Sequence, residues 1–301
     1  MLSIKKYAAI DIGSNAVRLL ISNIIEQKGE SVEFKKNSLV RVPIRLGADV
    51  FVEKKISKEN TQRILDTMLA FKLLMKSHKV LKYKACATSA MRESANGDEV
   101  VDLVLKHAGI YIDIIDGKEE AAIIAATDLN KFIDKNKTYL YVDVGGGSTE
   151  FTIIHRGHSM TSRSFKIGTV RLLNNIVKDS DWNTLENWIK DHVIDYDKID
   201  VIGSGGNINK IFKISRKPIG KPLSYFYLTS YYKTLQSYSY EERITELGLN
   251  QDRADVIIPA MRIYLFAMKW SRAKNIYVPK IGLADGIIKS IYYDTVSSNT
   301  Q

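Results

Sequence analysis

The most constraining feature of this chain is a short glycine-containing segment that occurs twice. One copy is Asp11-Ile-Gly-Ser-Asn15, and the other is Asp143-Val-Gly-Gly-Gly-Ser-Thr-Glu150. Each copy follows an apolar run typical of a buried strand and precedes a second strand-like run, so both predict a tight turn between antiparallel strands. The copies are separated by about the length of one small domain. The repeat therefore predicts two related half-folds that face each other across a cleft.

The predicted turns are suited to binding phosphate. Glycine has no Cβ, so backbone N–H groups in such a turn can approach an anionic oxygen and form a concave anion site. The aspartate before each turn would repel phosphate, but it can hold a metal ion, or a water on that ion, against the phosphate. The alternative is a pair of ordinary hairpin turns in which each aspartate caps the backbone. The matching pattern and the hydroxyl groups of Ser14 and Ser148 favour phosphate.

Composition limits the class of protein. The chain has 301 residues, 45% of them hydrophobic, which is enough for about two globular domains. Its single cysteine excludes an internal disulfide, and its five histidines form no zinc-binding pattern. No apolar run reaches membrane-spanning length and the N-terminus has no signal-peptide pattern, so we expect a cytoplasmic protein without a membrane partner. The formal net charge of +10 favours an anionic ligand, but no motif indicates specific nucleic-acid binding.

The order of predicted elements is the same in both halves. Each half begins with three antiparallel strands and continues with strands that alternate with helices, which indicates an α/β sheet with helices on its faces. In the first half a strand is predicted at 34–42, a helix at 57–78 and another helix at 118–132. In the second half helices are predicted at 170–177 and 252–269.

Three further segments carry charged groups near the ends of predicted strands, where α/β folds place their ligands. The first, Gly117-Lys-Glu-Glu-Ala121, offers two carboxylates. Residue type alone leaves open whether they stabilise a helix N-terminus or take a proton from an attacking water. The second, Ala87-Thr-Ser-Ala-Met-Arg92, ends in Arg92, which can clamp a phosphate or pair with a surface acid. In the third, Lys166 and Arg171 flank the start of a helix and suit an extended anion.

A fourth segment, Gly203-Ser-Gly-Gly-Asn207, follows a predicted strand and precedes a helix. Such a turn can bind an anion at the helix N-terminus, pass a flat base closely, or simply reverse the chain. The residues that we assign to the wall of a nucleotide or substrate pocket are Gly203, Ser204, Gly205, Gly206, Asn207, Lys166 and Arg171.

Seven segments, taken in order, resemble the exopolyphosphatase/guanosine pentaphosphate phosphohydrolase (Ppx/GppA) family. They are 11–19, 87–92, 117–121, 143–150, 168–172, 253–257 and 282–286. The resemblance spans almost the whole chain and implies two actin-like (ribonuclease H-like) domains of the sugar kinase, chaperone ATPase and actin superfamily. We place the first domain at 1–124 plus a C-terminal helix at 285–301, and the second at 125–284. Asp116 stands where the family often has serine, and the length resembles that of the short, two-domain members.

The family resemblance also implies roles for individual residues. Glu120 would be the catalytic base, and Glu150 would support the attacking water. The implied metal carboxylates are Asp11, Asp143 and Glu150, with Mg²⁺ or another divalent cation as the cofactor. The implied phosphate-binding residues are Ser14, Asn15, Arg92, Gly145, Gly146, Gly147 and Ser148. A homodimer is also expected from the family.

These roles predict hydrolysis of the terminal phosphoanhydride of inorganic polyphosphate, with release of orthophosphate. Removal of the 5′-terminal phosphate of guanosine pentaphosphate uses the same chemistry, and no motif separates the two substrates. A phosphotransferase acting on polyphosphate or a nucleotide would keep the same fold, whereas a non-catalytic sensor would bind polyphosphate or an alarmone without turnover. The three acids Glu120, Asp143 and Glu150 favour hydrolysis over binding alone.

Overall fold

The computed structural model describes residues 2–125, 127 and 134–298. The chain divides into two compact units: unit 1 consists of residues 1–127 and 283–301, and unit 2 of residues 128–282. The domain boundaries placed from the sequence differ from these divisions by two or three residues. Within the described part of the chain, no helix is both long and apolar enough to cross a membrane.

Unit 1 contains a five-stranded mixed sheet with the strand order β3-β2-β1-β4-β5. Its elements within residues 1–127 are β1 (Leu2–Ile12), β2 (Val17–Gln27), β3 (Glu33–Val42), α1 (Leu46–Glu53), α2 (Lys58–Ser77), β4 (Lys82–Ala87), α3 (Ser89–Glu93), α4 (Gly97–Ala108), β5 (Ile112–Ile114) and α5 (Gly117–Ala125). Strands β1, β2 and β3 pair antiparallel, whereas β1, β4 and β5 run parallel. The carboxyl ends of these three parallel strands therefore meet at one edge of the sheet, where the candidate residues of unit 1 follow them.

Unit 2 repeats this arrangement and adds an edge strand, in the order β10-β11-β9-β6-β7-β8. Its elements are β6 (Thr138–Val144), β7 (Thr149–His155), β8 (His158–Phe165), α6 (Thr169–Leu173), α7 (Asp179–Val193), β9 (Ile199–Ser204), α8 (Gly206–Ile214), β10 (Leu223–Ser224), α9 (Tyr225–Ser237), α10 (Tyr240–Thr245), α11 (Gln251–Ala254), α12 (Ile257–Trp270) and β11 (Asn275–Tyr277). Strands β6, β7 and β8 pair antiparallel, and β6, β9 and β11 run parallel. The chain then returns to unit 1 as α13 (Leu283–Ser298).

The shared strand order confirms the predicted fold. Both units have three antiparallel strands, and in both the parallel strands continue the sheet on the other side of the first strand, as expected for actin-like, ribonuclease H-like domains. The first strand of each unit is central in its sheet: Ala8 and Ile10 of β1, and Leu140 and Val142 of β6, are fully buried. Burial on both faces explains why these strands are continuous apolar runs in the sequence.

Helix α13 completes the core of unit 1. It packs on β1, β2, β4 and α5, and its residues Ile287 and Ile288 are buried. Gly286 lies so close to α5 that a Cβ at this position would overlap the carbonyl oxygen of Ile123. The hydroxyl of Tyr292 donates to Glu26 of β2 over 2.9 Å. The last helix is therefore a structural part of unit 1, although the whole of unit 2 separates it from the rest of unit 1 in sequence.

Several elements differ from the sequence-based predictions for local reasons. The predicted helix at 252–269 is two helices, α11 and α12, which are separated by residues 255–256. The helix predicted at 170–177 ends at Leu173, and Asn175 has a φ of 53°, a left-handed conformation that does not continue a helix. For the helix predicted at 118–132, residues 126 and 128–133 lie outside the described residues.

The sequence analysis does not anticipate helices α1 and α10. The signal for α10 is present in the sequence: Ser239 and Glu242 form a capping box, in which each side chain accepts from the other residue's backbone N–H. Helix α1 has no such signal, because it follows Arg45 in a left-handed conformation without a side-chain cap.

Candidate active site

The glycine turn of unit 1 joins β1 to β2. Backbone N–H groups at the start of α1 donate hydrogen bonds to two carbonyl oxygens of this turn. Ser14 O accepts from the N–H of Gly47 over 2.8 Å, and Asn15 O accepts from the N–H of Arg45 over 3.1 Å. In a trans peptide the N–H points away from the C=O. The N–H groups of Asn15 and Ala16 therefore point away from α1.

The glycine turn of unit 2 joins β6 to β7, and α6 holds three of its consecutive carbonyl oxygens. The pairs are Gly145 O with Thr169 N (3.0 Å), Gly146 O with Val170 N (2.8 Å) and Gly147 O with Arg171 Nε (2.6 Å). Because each peptide N–H points away from its carbonyl, the N–H groups of Gly146, Gly147 and Ser148 are directed to the side opposite α6. Consecutive N–H groups presented in this way form an anion site.

Gly168 allows α6 to approach this turn. A Cβ at position 168 would overlap the carbonyl oxygen of Gly146, so only glycine fits without displacement of the backbone. The hydroxyl of Thr149 donates to the carbonyl of Ile167 over 2.5 Å and fixes the same segment to the start of β7. The turn and the beginning of α6 therefore form one rigid piece of unit 2.

The residue opposite the aspartate differs between the two hairpins. In unit 1, Asp11 lies opposite Arg18 in the β1–β2 register, and the two side chains form an ion pair of 2.6 Å. In unit 2, Asp143 lies opposite Glu150 in the β6–β7 register. Residues directly opposite on one face of a sheet have Cβ atoms about 5 Å apart. Equivalent positions therefore carry a neutralised carboxylate in unit 1 and an acidic pair in unit 2.

Glu150 is held in position by hydroxyl groups. It is 2% exposed, and its Oε1 accepts from Ser148 Oγ over 2.7 Å and from Ser164 Oγ over 2.9 Å. Ser148 thus takes part in the turn through its backbone and supports the acidic pair through its side chain.

The acidic pair of unit 2 fits a divalent cation better than Asp11 does. Like charges directly opposite one another destabilise a sheet, and a bound cation would remove that repulsion. Magnesium typically binds through one or two protein carboxylates together with substrate phosphates and water, which matches Asp143 and Glu150. Asp11 fits less well because Arg18 already neutralises it. Over residues 2–125, 127 and 134–298, no group of three His, Cys, Asp or Glu residues forms a ready-made metal site.

The two glutamates of α5 have different environments. Asp116 Oδ1 accepts from the N–H groups of Lys118 and Glu119 over 2.7 and 2.8 Å, and Glu119 Oε2 accepts from the N–H of Asp116 over 2.9 Å. The hydrogen bonds from the N–H groups of Glu119 and Lys118 lower the pKa of Asp116. This arrangement is a capping box, so Asp116 provides the cap that a serine would provide. Glu120, by contrast, is 8% exposed.

Arg92 and Ser14, both predicted to bind phosphate, are in contact with protein groups. Arg92 Nη1 donates to the carbonyl of Ile115 over 2.5 Å, so it connects α3 to the segment between β5 and α5. Ser14 is buried, and its hydroxyl lies 2.9 Å from that of Ser89. These contacts position the segments that carry the predicted site, and a direct role in phosphate binding stays a prediction for both side chains.

The glycine turn after β9 lies beside the acidic pair of unit 2. In the β6–β9 register Ser204 is opposite Asp143. Gly205 has a φ of 117°, which favours glycine, and a Cβ there would lie 3.6 Å from Asp143 Oδ1. The hydroxyl of Tyr264 donates to Ser204 O. Burial, and then the charge of Asp143, raise the pKa of Tyr264 well above its ordinary value, so this phenol stays protonated.

Lys166 and Arg171, which were both assigned to a pocket wall, have different environments. Lys166 is exposed at the end of β8. Arg171 is 5% exposed, and its guanidinium is directed at the Gly147 carbonyl. Arg171 thus supports the glycine turn through the Gly147 carbonyl. The assignment of both residues to a pocket wall stays a prediction.

The sequence analysis did not identify Arg18, Ser89 and Ser164 as residues that contact the predicted site residues. A signal for Arg18 exists, since it follows Asp11 by 7 residues, the same offset that separates Asp143 from Glu150. For Ser89 and Ser164 no local pattern indicates the contact, because their partners Ser14 and Glu150 are distant in sequence.

Two units of one fold, each with a glycine turn supported by a following segment, define a two-domain protein of the actin-like class. The profile of the Ppx/GppA phosphatase family matches residues 27–294. The chain belongs to this family, and the resemblance carried by its motifs is confirmed.

Proteins with similar sequences are named as three different kinds of enzyme. A bifunctional 3-dehydroquinate synthase/phosphatase of Fusobacterium nucleatum is 33% identical over 198 residues, which cover 62% of this chain and 30% of that protein. A putative exopolyphosphatase of Haemophilus influenzae is 24% identical over 307 residues, covering 96% and 92%. A guanosine-5′-triphosphate,3′-diphosphate pyrophosphatase of Photobacterium profundum is 31% identical over 182 residues, covering 60% and 35%. The chain thus spans about a third of the length of the first and third proteins and most of the second.

Solved structures share the fold over nearly the whole chain. An exopolyphosphatase from Cytophaga hutchinsonii superposes with a TM-score of 0.81 at 23% identity, covering 98% of both chains. The Aquifex aeolicus member of the Ppx/GppA family superposes with a TM-score of 0.76 at 23% identity, covering 97% of this chain and 99% of that one.

Proposed function

We propose that this chain hydrolyses the terminal phosphoanhydride of inorganic polyphosphate and releases orthophosphate. The observation that carries the proposal is the glycine turn of unit 2, where α6 holds three consecutive carbonyls and so directs three N–H groups to the opposite side. Donors fixed in this way can stabilise the charge that develops on phosphoryl oxygens. Family membership and the similarity to a putative exopolyphosphatase support the same chemistry.

The proposed roles follow from the environments of the acids. Glu120 is the general base that takes a proton from the attacking water, because Glu119 already serves the capping box while Glu120 is buried. Asp143 and Glu150 are the proposed ligands of Mg²⁺, which when bound supplies positive charge against the substrate phosphates. The N–H groups of the two glycine turns bind phosphate oxygens.

Two neighbouring substitutions test the assignment of the base. We expect Glu120→Gln to lower kcat by about 10²- to 10⁴-fold, because the amide cannot accept the proton. The control is Glu119→Gln, which changes the adjacent residue in the same way but keeps a capping-box side chain. Orthophosphate release from short polyphosphate measures both. Equal activities of the two variants would contradict the role of Glu120.

A second candidate is removal of the 5′-terminal phosphate of guanosine pentaphosphate. It is favoured by the 31% identity to a guanosine-5′-triphosphate,3′-diphosphate pyrophosphatase. Orthophosphate release from short polyphosphate, long polyphosphate, guanosine pentaphosphate and ATP, each with Mg²⁺ and with EDTA, separates the candidates. If orthophosphate is released from none of these substrates although polyphosphate binds tightly, the result would favour a non-catalytic sensor instead.

A further inference from the structure

Arg171 carries a buried charge that the proposed function does not yet use. It lies in α6 and is 5% exposed, and its Nε is 2.6 Å from the carbonyl oxygen of Gly147. Burial of a charged group is costly unless specific partners compensate it. A guanidinium placed behind the glycine turn therefore indicates a function for its position.

The repeated hairpin of unit 1 shows what is particular to Arg171. In unit 1 the carbonyl of Asn15 accepts from the backbone N–H of Arg45. At the equivalent place in unit 2, the carbonyl of Gly147 accepts from a side chain. The same turn carbonyl is thus held in both units, but only the contact in unit 2 can be removed by substitution of a side chain.

The turn of unit 2 needs such a restraint more than the turn of unit 1 does. It contains three consecutive glycines, residues 145–147, whose backbones have wide conformational freedom. Backbone N–H groups of α6 hold the first two carbonyls. If the peptide between Gly147 and Ser148 rotated, its carbonyl oxygen would take the place of the N–H on the anion-binding side and would repel phosphate.

We propose that Arg171 is a positioning residue that fixes the direction of the Ser148 N–H by holding the Gly147 carbonyl. Because the hydroxyl of Ser148 donates to Glu150, the same contact also sets the position of one carboxylate of the acidic pair. The catalytic consequence of this inference rests on the proposed phosphoanhydride hydrolysis. The geometric part, the orientation of one peptide unit, stands independently of it.

A pair of variants of similar side-chain size tests the proposal. Arg171→Met removes every donor, whereas Arg171→Gln keeps an N–H that can reach a carbonyl. We expect kcat for orthophosphate release to fall on the order of 10- to 100-fold in Arg171→Met, with a partial recovery in Arg171→Gln. Val170→Ala, a truncation of the fully buried neighbour, is the control for general loss of stability in α6. Equal kcat values for the Met and Gln variants, or an equal loss in Val170→Ala at matched melting temperature, would overturn the proposal.

A second measurement does not depend on catalysis. In isotope-labelled full-length protein, the carbonyl carbon of Gly147 and the N–H of Ser148 report the orientation of this peptide by NMR. We expect both resonances to move in Arg171→Met and to lie nearer to wild type in Arg171→Gln, and the Ser148 N–H to lose its response to added orthophosphate in the Met variant. Unchanged resonances in Arg171→Met would overturn the positioning role. If the wild type releases no orthophosphate from any substrate but these shifts occur, the proposed function fails while the positioning role stands.

Discussion

At the scale of single residues, the clearest result is that two adjacent glutamates have different tasks. Glu119 accepts a hydrogen bond from the backbone N–H of Asp116 and so helps to cap the N-terminus of α5. Glu120, one position further along, turns into a buried environment. A helix rotates by about 100° per residue, so neighbouring side chains cannot share one environment.

The capping box leads to a prediction about stability. Glu119→Ala removes the hydrogen bond that Glu119 Oε2 accepts from the N–H of Asp116. We expect the free energy of unfolding to fall by about 0.5 to 1 kcal/mol. Glu119→Gln should cost much less, since glutamine can also accept from the backbone. Urea unfolding measures the difference, and orthophosphate release should change little in either variant. A large loss of turnover in Glu119→Ala without loss of stability would indicate that Glu119, too, takes part in catalysis.

The sequence predicts some of these residue environments and not others. The Asp116-x-x-Glu119 spacing is itself a capping signal, so the role of Glu119 could have been read from the sequence. The burial of Arg171 could not, because it depends on how closely α6 approaches the glycine turn. Gly168 makes this approach possible because it has no side chain, and it is distant from the turn in sequence.

At the scale of elements, Gly168 is the residue on which the packing of α6 against the turn depends. We expect Gly168→Ala to lower the free energy of unfolding by about 2 to 3 kcal/mol, because the new methyl group would overlap backbone atoms that cannot move independently. It should also reduce orthophosphate release. Gly282→Ala is the control, since among the described residues a Cβ there would meet only Ser204 Oγ, at 3.8 Å. A Gly168→Ala protein as stable and active as the control would show that α6 can move away without consequence.

The junction of α1 and α2 predicts a dependence of stability on pH. Burial alone would raise the pKa of Asp49, but hydrogen bonds from Ser57 and from Asn60 outweigh it and lower the pKa. A lowered pKa contributes stability above the unfolded value of about 4, and this contribution is lost as the pH falls through the folded value. Asp49→Asn should therefore cost about 1 kcal/mol at pH 7 and less at pH 3.

Denaturant unfolding of wild type and Asp49→Asn at pH 7, 5 and 3 checks this expectation. Glu53→Gln, which changes an exposed carboxylate at the end of the same helix, is the control. A difference between wild type and Asp49→Asn that stayed constant over this range would show that the hydrogen bonds do not depend on the charge of Asp49.

Elements were easier to predict from the sequence where a pattern is continuous and harder where two elements meet. The apolar spacing of residues 64, 65, 68, 71, 74 and 75 predicts α2. Ile64, Met68, Phe71 and Met75 are buried, and Leu65 and Leu74 are partly buried. The break between α11 and α12 was missed because the apolar pattern runs on across residues 255–256. Helix α1 was missed because the residue before it, Arg45, has a left-handed conformation that no sequence pattern indicates.

At the scale of the whole molecule, the chain leaves unit 1, forms unit 2 and returns to unit 1 through α13. We expect deletion of residues 283–301 to unfold unit 1, because the deletion removes the buried side chains of Ile287, Ile288 and Tyr292. Unit 2 is continuous in sequence and should keep its structure. Hydrogen exchange would then show loss of protection in β1, β2 and β4 and retained protection in β6 and β9. Equal loss in both units would mean that unit 2 also depends on α13.

The repeat was the strongest whole-molecule signal in the sequence. It correctly predicted two units with the same strand order, since both copies of the glycine segment join the first two strands of a sheet. The sequence analysis did not predict that the copies differ in charge, although Arg18 and Glu150 each follow their aspartate by the same number of residues. The register of the paired strands shows that these two residues lie opposite Asp11 and Asp143.

The opposite charges at Arg18 and Glu150 also describe how such a protein can evolve. Both residues occupy the same place in a repeated hairpin, opposite Asp11 and Asp143. In a hairpin that occurs once, this place can hold only one charge. In a hairpin that occurs twice, one copy can change sign while the other does not. The two copies in this chain use that freedom: Arg18 neutralises Asp11, and Glu150 adds a second acid beside Asp143.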